Sequence, residues 1–145
     1  MTDTSVTYEL NDRVALIAID DGKANAISHD IANGIHEALE QARREAAAVV
    51  LAGRPGRFSA GFDLSVMTSS PEAARNLLKA GAEIAIEIHE FPMPVVVAST
   101  GHALAMGAIL LMAADTRIGA DGNYKIGLNE VAIGMPVPKF AVELA

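Results

Sequence analysis

Gly56-Arg57-Phe58-Ser59-Ala60-Gly61-Phe62-Asp63-Leu64 is the stretch whose reading decides the fold of this chain. It is a small-residue turn between an apolar run and a helical pattern, with glycine and alanine where a loop usually carries polar side chains. A second such turn follows downstream, Gly101-His102-Ala103-Leu104-Ala105-Met106-Gly107-Ala108. Each comes after a strand-like run, Ala48 to Ala52 and Val95 to Ser99, and the second leads straight into an apolar helix-like run. Two strand-to-turn junctions with bare backbone can aim two amide N–H groups at one point, which is the geometry an oxyanion hole requires.

The chain has 145 residues, enough for one domain with a real core and short for two. It is 51% hydrophobic but only 4% aromatic and has no tryptophan, so the core must be aliphatic and alanine-based. A mean hydropathy of +0.30 is high for a soluble domain of this size and points to apolar surface closed by another subunit. The longest apolar stretch, Ala103 to Ala114, is interrupted by Gly107 and is too short to span a bilayer. A net charge of −7, with basic residues single or in pairs, argues against a nucleic-acid partner. Zero cysteines exclude a disulfide scaffold and a thiolate zinc site. The N-terminus carries no secretory pattern, and the expected location is cytoplasmic.

The periodicity predicts an α/β chain of repeated strand, turn and helix units. Val6 to Leu10 and Arg13 to Ile19 read as two strands joined by Asn11-Asp12. Ser28 is the expected N-cap of a helix to about Arg44, with Ile31, Ile35, Ala38, Leu39 and Ala42 on one face. Ala47 to Ala52 is a buried strand closed by Gly53 to Gly56. Ser70 and Pro71 form an N-cap and first-turn pair for the next helix, whose apolar face includes Leu77, Gly81, Ile84 and Ile88. Val95 to Ser99 is the next strand, and a helix from about Ala105 to Ala114 is apolar on nearly all sides and therefore central. Thr116 to Gly119 is a short strand, and Tyr124 to Ile126 is expected to return beside it.

Five motifs then stand in order: Lys23-Ala24-Asn25-Ala26-Ile27-Ser28, Arg57 to Leu64, Pro94 to Ala98, Gly101-His102-Ala103, and Ala114-Asp115-Thr116-Arg117-Ile118. Any one is weak, but together, from about Val6 to Phe140, they resemble the enoyl-CoA hydratase/isomerase (crotonase) family. Tyr124 to Glu130 followed by Ile133-Gly134 most resembles its Δ3,Δ2-enoyl-CoA isomerase branch. The resemblance implies a crotonase-like spiral of repeated ββα units, as in the ClpP/crotonase superfamily. Residues 1–145 would be one N-terminal core domain, without the C-terminal helical region that builds trimers in that family.

The same resemblance assigns roles position by position. The backbone N–H groups of Phe62 and Met106 match the two oxyanion donors, and Glu130 matches the catalytic carboxylate. Lys23, Ala24, Asn25 and Ala26, with Ala60, Gly61, Asp63 and Leu64, match the surface that holds coenzyme A. No cofactor or metal is implied, because the coenzyme A thioester is the substrate. A homotrimer or a dimer of trimers is implied as the assembly.

Two departures from the family pattern carry information. Ala105-Met106 occupies the usual glycine-rich run, so the amide survives but a methionine side chain must find room. Ile109 stands where hydratases carry a second glutamate. Hydration needs one carboxylate to deprotonate water and one to protonate C2. A double-bond shift needs only one, which favours 3-enoyl-CoA to 2-enoyl-CoA isomerisation with Glu130 as the proton shuttle. Alternatives are another enolate reaction of the family (an enoyl-CoA hydratase or lyase, or a thioester hydrolase) and a catalytically silent acyl-CoA-binding subunit.

Other residues have plainer readings. Gly56 and Gly61 have phosphate-loop spacing, but Phe62-Asp63 replaces the Lys and Ser/Thr such a loop needs. His29 and His36 read as a solvated helix face, and His102 as structural. Asp63 reads as a helix cap. Lys23 is balanced between a phosphate contact and simple solvation.

Overall fold

The computed structural model describes residues 5–145. β1 (Val6–Asn11) and β2 (Val14–Ile19) form an antiparallel hairpin in which Asn11 faces Val14. Its turn is Asp12-Arg13 rather than Asn11-Asp12. Both residues have positive φ, 45° and 65°, the pair of signs a two-residue turn needs to match strand twist.

α1 (His29–Glu45) begins where the sequence predicts, with Ser28 Oγ accepting from the Ile31 N–H at 3.3 Å. Its buried face is the expected stripe plus Ala32. α3 (Pro71–His89) likewise starts at Ser70, whose Oγ accepts from the Ala73 N–H at 3.0 Å, with Pro71 in the first turn. On its wet side Lys79 Nζ lies 3.7 Å from Glu83 Oε1. α4 (Met106–Ala113) buries every residue except Met112, as a helix apolar all round must.

The larger sheet runs in the order β1-β2-β3-β5-β7, with β3 (Ala48–Ala52), β5 (Val95–Ser99) and β7 (Thr116–Gly119) parallel to β2. The entry to β5 is pinned by Asp115, whose Oδ2 accepts from the Val95 N–H at 2.7 Å.

A second, smaller parallel sheet joins β4 (Gly56–Ser59), β6 (Gly101–Leu104) and β8 (Ile126–Gly127). This sheet corrects the sequence reading in two places. The small-residue turns each begin as a strand, and the segment after Tyr124 pairs with β6 rather than returning beside β7. Strands of only two to four residues, with partners far away in sequence, leave no alternating pattern to read. Glycine is needed where β4 and β6 meet, because a Cβ on Gly101 would fall 1.9 Å from the Gly56 carbonyl carbon.

The chain therefore repeats strand, strand, helix. From β3 onward the first strand of each pair enters the large sheet and the second enters the small one. α2 (Leu64–Met67) is a single turn, and α5 (Lys139–Leu144) closes the described chain. Among the described residues, no helix is long and apolar enough to cross a membrane.

Candidate active site

The small parallel sheet gathers the three residues expected to be catalytic. Phe62 follows β4, Met106 follows β6, and Glu130 follows β8. All three thus sit just beyond the carboxyl ends of neighbouring parallel strands, where open α/β sheets place their ligands.

The first two are brought together by Gly61. It has φ +95°, a conformation that L side chains rarely adopt. A Cβ there would lie 2.9 Å from Ala105 Cβ and 3.4 Å from the Met106 nitrogen. Met106 is the first residue of α4, so its N–H has no partner within the helix. Among the described residues neither the Phe62 nor the Met106 N–H donates to a protein acceptor, whereas Ala105 N–H donates to the Gly127 carbonyl at 3.0 Å. Ala105 itself has φ 49° and ψ −118°, an unusual conformation for a residue with a Cβ. The Met106 side chain finds its room inside the core, fully buried, with its sulfur beside Gly81 of α3.

Glu130 sits at the head of a single 3-10 turn, Val131–Ile133, which Gly134 ends in the left-handed conformation. Its carbonyl accepts from the Met135 N–H at 2.9 Å and from the Ile133 N–H at 3.1 Å. The residue is only 5% exposed, and among the described residues Oε2 is buried without a hydrogen-bond partner. A carboxylate oxygen buried with nothing donating to it is costly unless function keeps it so. The neighbouring Asn129 Oδ1 is also buried and unpartnered. Ile109 is fully buried in α4.

The two segments matched to the coenzyme A surface lie side by side. Ile27 N–H donates to the Gly61 carbonyl at 2.8 Å, Asp63 N–H to the Ile27 carbonyl at 3.0 Å, and Ala60 N–H to the Ala24 carbonyl at 3.0 Å. Asn25 holds this seam from within. Its side chain is fully buried, with Nδ2 donating to the carbonyls of Ile19, Arg57 and Phe58, and Oδ1 accepting from the Asp21 N–H. Every polar atom of that side chain is already engaged, so Asn25 shapes the surface and its amide does not face a ligand. Ser59, which sequence reasoning passed over, does similar work: its Oγ donates to the Asn25 carbonyl at 2.7 Å and accepts from the Gly61 N–H at 3.2 Å.

Asp63 caps α2, accepting from both the N–H and the Oγ–H of Ser65, at 2.9 and 2.6 Å. The Ser65 hydroxyl holds its carboxyl below the usual carboxylate range. Ala60 and Leu64 are exposed on this surface, and so is Lys23, whose carbonyl accepts from Arg54 Nη1 at 3.0 Å. A cleft of about 790 Å3 opens beside this seam between β1 and α1. Among its described lining residues Lys23 is the one lysine or arginine, against Asp21, Asp30, Glu37 and Asp63. His36 belongs to a different face, with Nδ1 2.8 Å from Glu87 Oε2. His102 Nδ1 accepts from the Lys125 N–H at 3.0 Å, and its ring lies edge-on to Tyr124.

Comparisons with known proteins show the family of the chain. The sequence model of the enoyl-CoA hydratase/isomerase family matches residues 9–144, and the chain belongs to that family. An enoyl-CoA hydratase/isomerase family protein from Pseudomonas syringae superposes with a TM-score of 0.96 at 46% identity, covering 99% of this chain and 63% of that one. A Mycobacterium tuberculosis protein, called an enoyl-CoA isomerase in one structure and a probable enoyl-CoA hydratase in another, superposes in the first with a TM-score of 0.92 at 42% identity, covering 99% of this chain and 62% of that one. A probable enoyl-CoA hydratase of Bacillus subtilis is 32% identical over 141 residues, 94% of this chain and 54% of its own length. The fold is thus the crotonase-like α/β fold the motifs implied. The chain spans between half and two thirds of the length of these three relatives.

Proposed function

We propose that this chain binds acyl-CoA thioesters and shifts their C=C bond from the 3 to the 2 position. The observation that carries this reading is Glu130, a buried carboxylate with Oε2 unpartnered, in a site where Ile109 replaces the second glutamate of a hydratase. Glu130 takes a proton from C2 of a 3-enoyl-CoA. The C2–H electron pair moves toward the thioester, leaving a dienolate whose negative oxygen accepts from the Phe62 and Met106 N–H groups. Glu130 then returns the proton at C4, the double bond settles between C2 and C3, and the carboxylate is regenerated. One such amide donor is typically worth about 3 kcal/mol at the transition state.

The surface of Lys23, Ala24 and Ala26 with Ala60, Gly61, Asp63 and Leu64 receives coenzyme A, with Asn25 shaping it from below. No further cofactor is required, since every proton moves between substrate carbon and Glu130. Residues 1–145 act as one core domain, and the exposed apolar residues Ile118, Ile126, Val131 and Ile133 support assembly into a homotrimer or a dimer of trimers. Light scattering tests that assembly.

The test of the chemistry is Glu130→Gln assayed with 3-hexenoyl-CoA. Lost isomerisation with unchanged coenzyme A affinity supports the reading, and retained turnover removes Glu130 from the mechanism. Hydration remains the second reading, favoured by the name of the Bacillus subtilis relative.

A further inference from the structure

Gly81 stands in the interior of α3, a helix otherwise rich in alanine. Glycine is the poorest helix former after proline, so an unforced glycine here would be a defect. Its φ is not positive, and no turn or cap requires it. What requires it is contact. A Cβ at this position would lie 2.4 Å from Phe62 Cζ, 2.5 Å from Phe62 Cε1 and 3.2 Å from Met106 Sδ.

One missing methyl group therefore seats the side chains of both residues read as oxyanion donors. The two follow different strands of the small sheet, and Gly81 lies on a third element, α3. Elsewhere the donors are held by backbone: the Gly61–Ala105 approach on one side and the Ala105–Gly127 hydrogen bond on the other. The contact from α3 touches both side chains at once.

We propose that Gly81 is a positioning residue of the oxyanion hole: by admitting the Phe62 ring and the Met106 thioether to a common seat on α3, it sets the aim of both amides. It also explains how a methionine is tolerated where the family usually has a glycine-rich run. The Met106 side chain is carried away from the substrate and stored beneath α3, leaving only its N–H at the site. This inference rests on the assignment of Phe62 and Met106 as the amide donors.

Helix propensity and positioning predict opposite signs for Gly81→Ala. Propensity alone makes the variant no less stable than the parent and leaves turnover intact. A displaced seat lowers kcat, by about tenfold to a hundredfold, with little change in KM, because misaimed donors are felt mainly at the transition state. Phe62→Leu replaces the ring that meets the new methyl group with a shorter side chain while keeping the amide, so Gly81→Ala/Phe62→Leu regains most of the lost kcat.

The direct readout is the infrared stretch of butanoyl-CoA labelled at its thioester carbonyl and bound to the full chain. Bound to the unsubstituted chain, the stretch is expected to fall below its value in water. With Gly81→Ala it moves part of the way back at unchanged affinity, and with Gly81→Ala/Phe62→Leu it falls again. A full lowering retained in Gly81→Ala overturns the role of Gly81 and leaves the oxyanion hole standing. No lowering in the unsubstituted chain overturns the oxyanion assignment itself, and the role of Gly81 with it. Should Gly81→Ala fail to fold, Phe62→Leu alone vacates the seat from the other side. It is then expected to give the same partial return, and an unmoved stretch contradicts the proposal.

Discussion

Gly61 and Ala105 meet where the two turns of the site touch, so closely that a Cβ on Gly61 would stand 2.9 Å from the Cβ of Ala105. Both have positive φ, 95° and 49°. The pair sets the spacing of the turns that carry Phe62 and Met106, and each member makes a separate prediction.

Gly61→Ala forces an L side chain into a left-handed conformation and into a contact too short to keep. The expected loss of stability is about 1–3 kcal/mol from the backbone alone. Urea unfolding measures it, and kcat for 3-enoyl-CoA is expected to fall with it as the turns are pushed apart. A variant as stable and as active as the parent would contradict the tight approach.

Ala105→Gly acts in the opposite direction. Glycine adopts φ 49°, ψ −118° without the steric penalty alanine carries, relieving strain of about 1–3 kcal/mol. Part of that gain, about 0.4–1 kcal/mol, is offset by the greater freedom of glycine in the unfolded chain. A net stabilisation of about 1 kcal/mol in urea unfolding is expected, and a destabilised variant would show that the conformation carries no strain.

Asn25 is the buried keystone of the seam between residues 24–27 and 60–63. Asn25→Ala removes the donors to Ile19, Arg57 and Phe58 and the acceptor for Asp21 N–H. With net bonds near 1 kcal/mol and orphaned buried groups costing more, a loss of about 3 kcal/mol or more is expected in chemical denaturation. Asn25→Asp keeps the preference for φ 51° and the Asp21 contact but deletes the donors, so it separates hydrogen bonding from backbone conformation. Equal stability of Asn25→Asp and the parent would refute the keystone role.

Far from the site, His36 joins α1 to α3 through Glu87, and Arg43 adds a contact from its guanidinium to Glu87 at 3.5 Å. The hydrogen bond to Glu87 raises the His36 pKa, and the charges of Glu87, Glu40 and Glu37 add to it, against a lowering by burial. A histidine whose pKa is higher folded than unfolded holds its proton more tightly in the native state. Its stabilising contribution is complete below the unfolded pKa of about 6.5 and is lost as pH rises through the raised native value. The ring is 59% exposed, so the effect is small and salt-sensitive. His36→Gln should therefore lower Tm at mildly acidic pH and leave it unchanged at alkaline pH. A Tm difference that grows with pH would contradict the assignment.

Much of this arrangement is legible from sequence because its signals are local. Ser28 and Ser70 cap their helices, Asp63 caps α2, and the stripe from Ile31 to Ala42 declares its buried face. The small sheet is not legible in the same way. β4 and β6 are four-residue strands opening on glycine and paired in parallel across 40-odd positions of chain, and they look like turns until their partners are in place. Motif order, not periodicity, indicated that Phe62, Met106 and Glu130 belong together. Gly81 reads only as one more small residue on an apolar helix face, since the Phe62 ring and Met106 sulfur that explain it come from two other segments. Ala105 gives no sign of its positive φ, because alanine is among the last residues expected there.

The central claim is that Glu130 works without a second carboxylate and so moves a proton rather than adding water. Parallel incubation of the chain with 3-hexenoyl-CoA and with 2-hexenoyl-CoA tests it most directly, with products resolved by chromatography. The account predicts 2-hexenoyl-CoA from the first and no appreciable 3-hydroxyhexanoyl-CoA from the second. Rapid hydration of 2-hexenoyl-CoA with no isomerisation of 3-hexenoyl-CoA would contradict it.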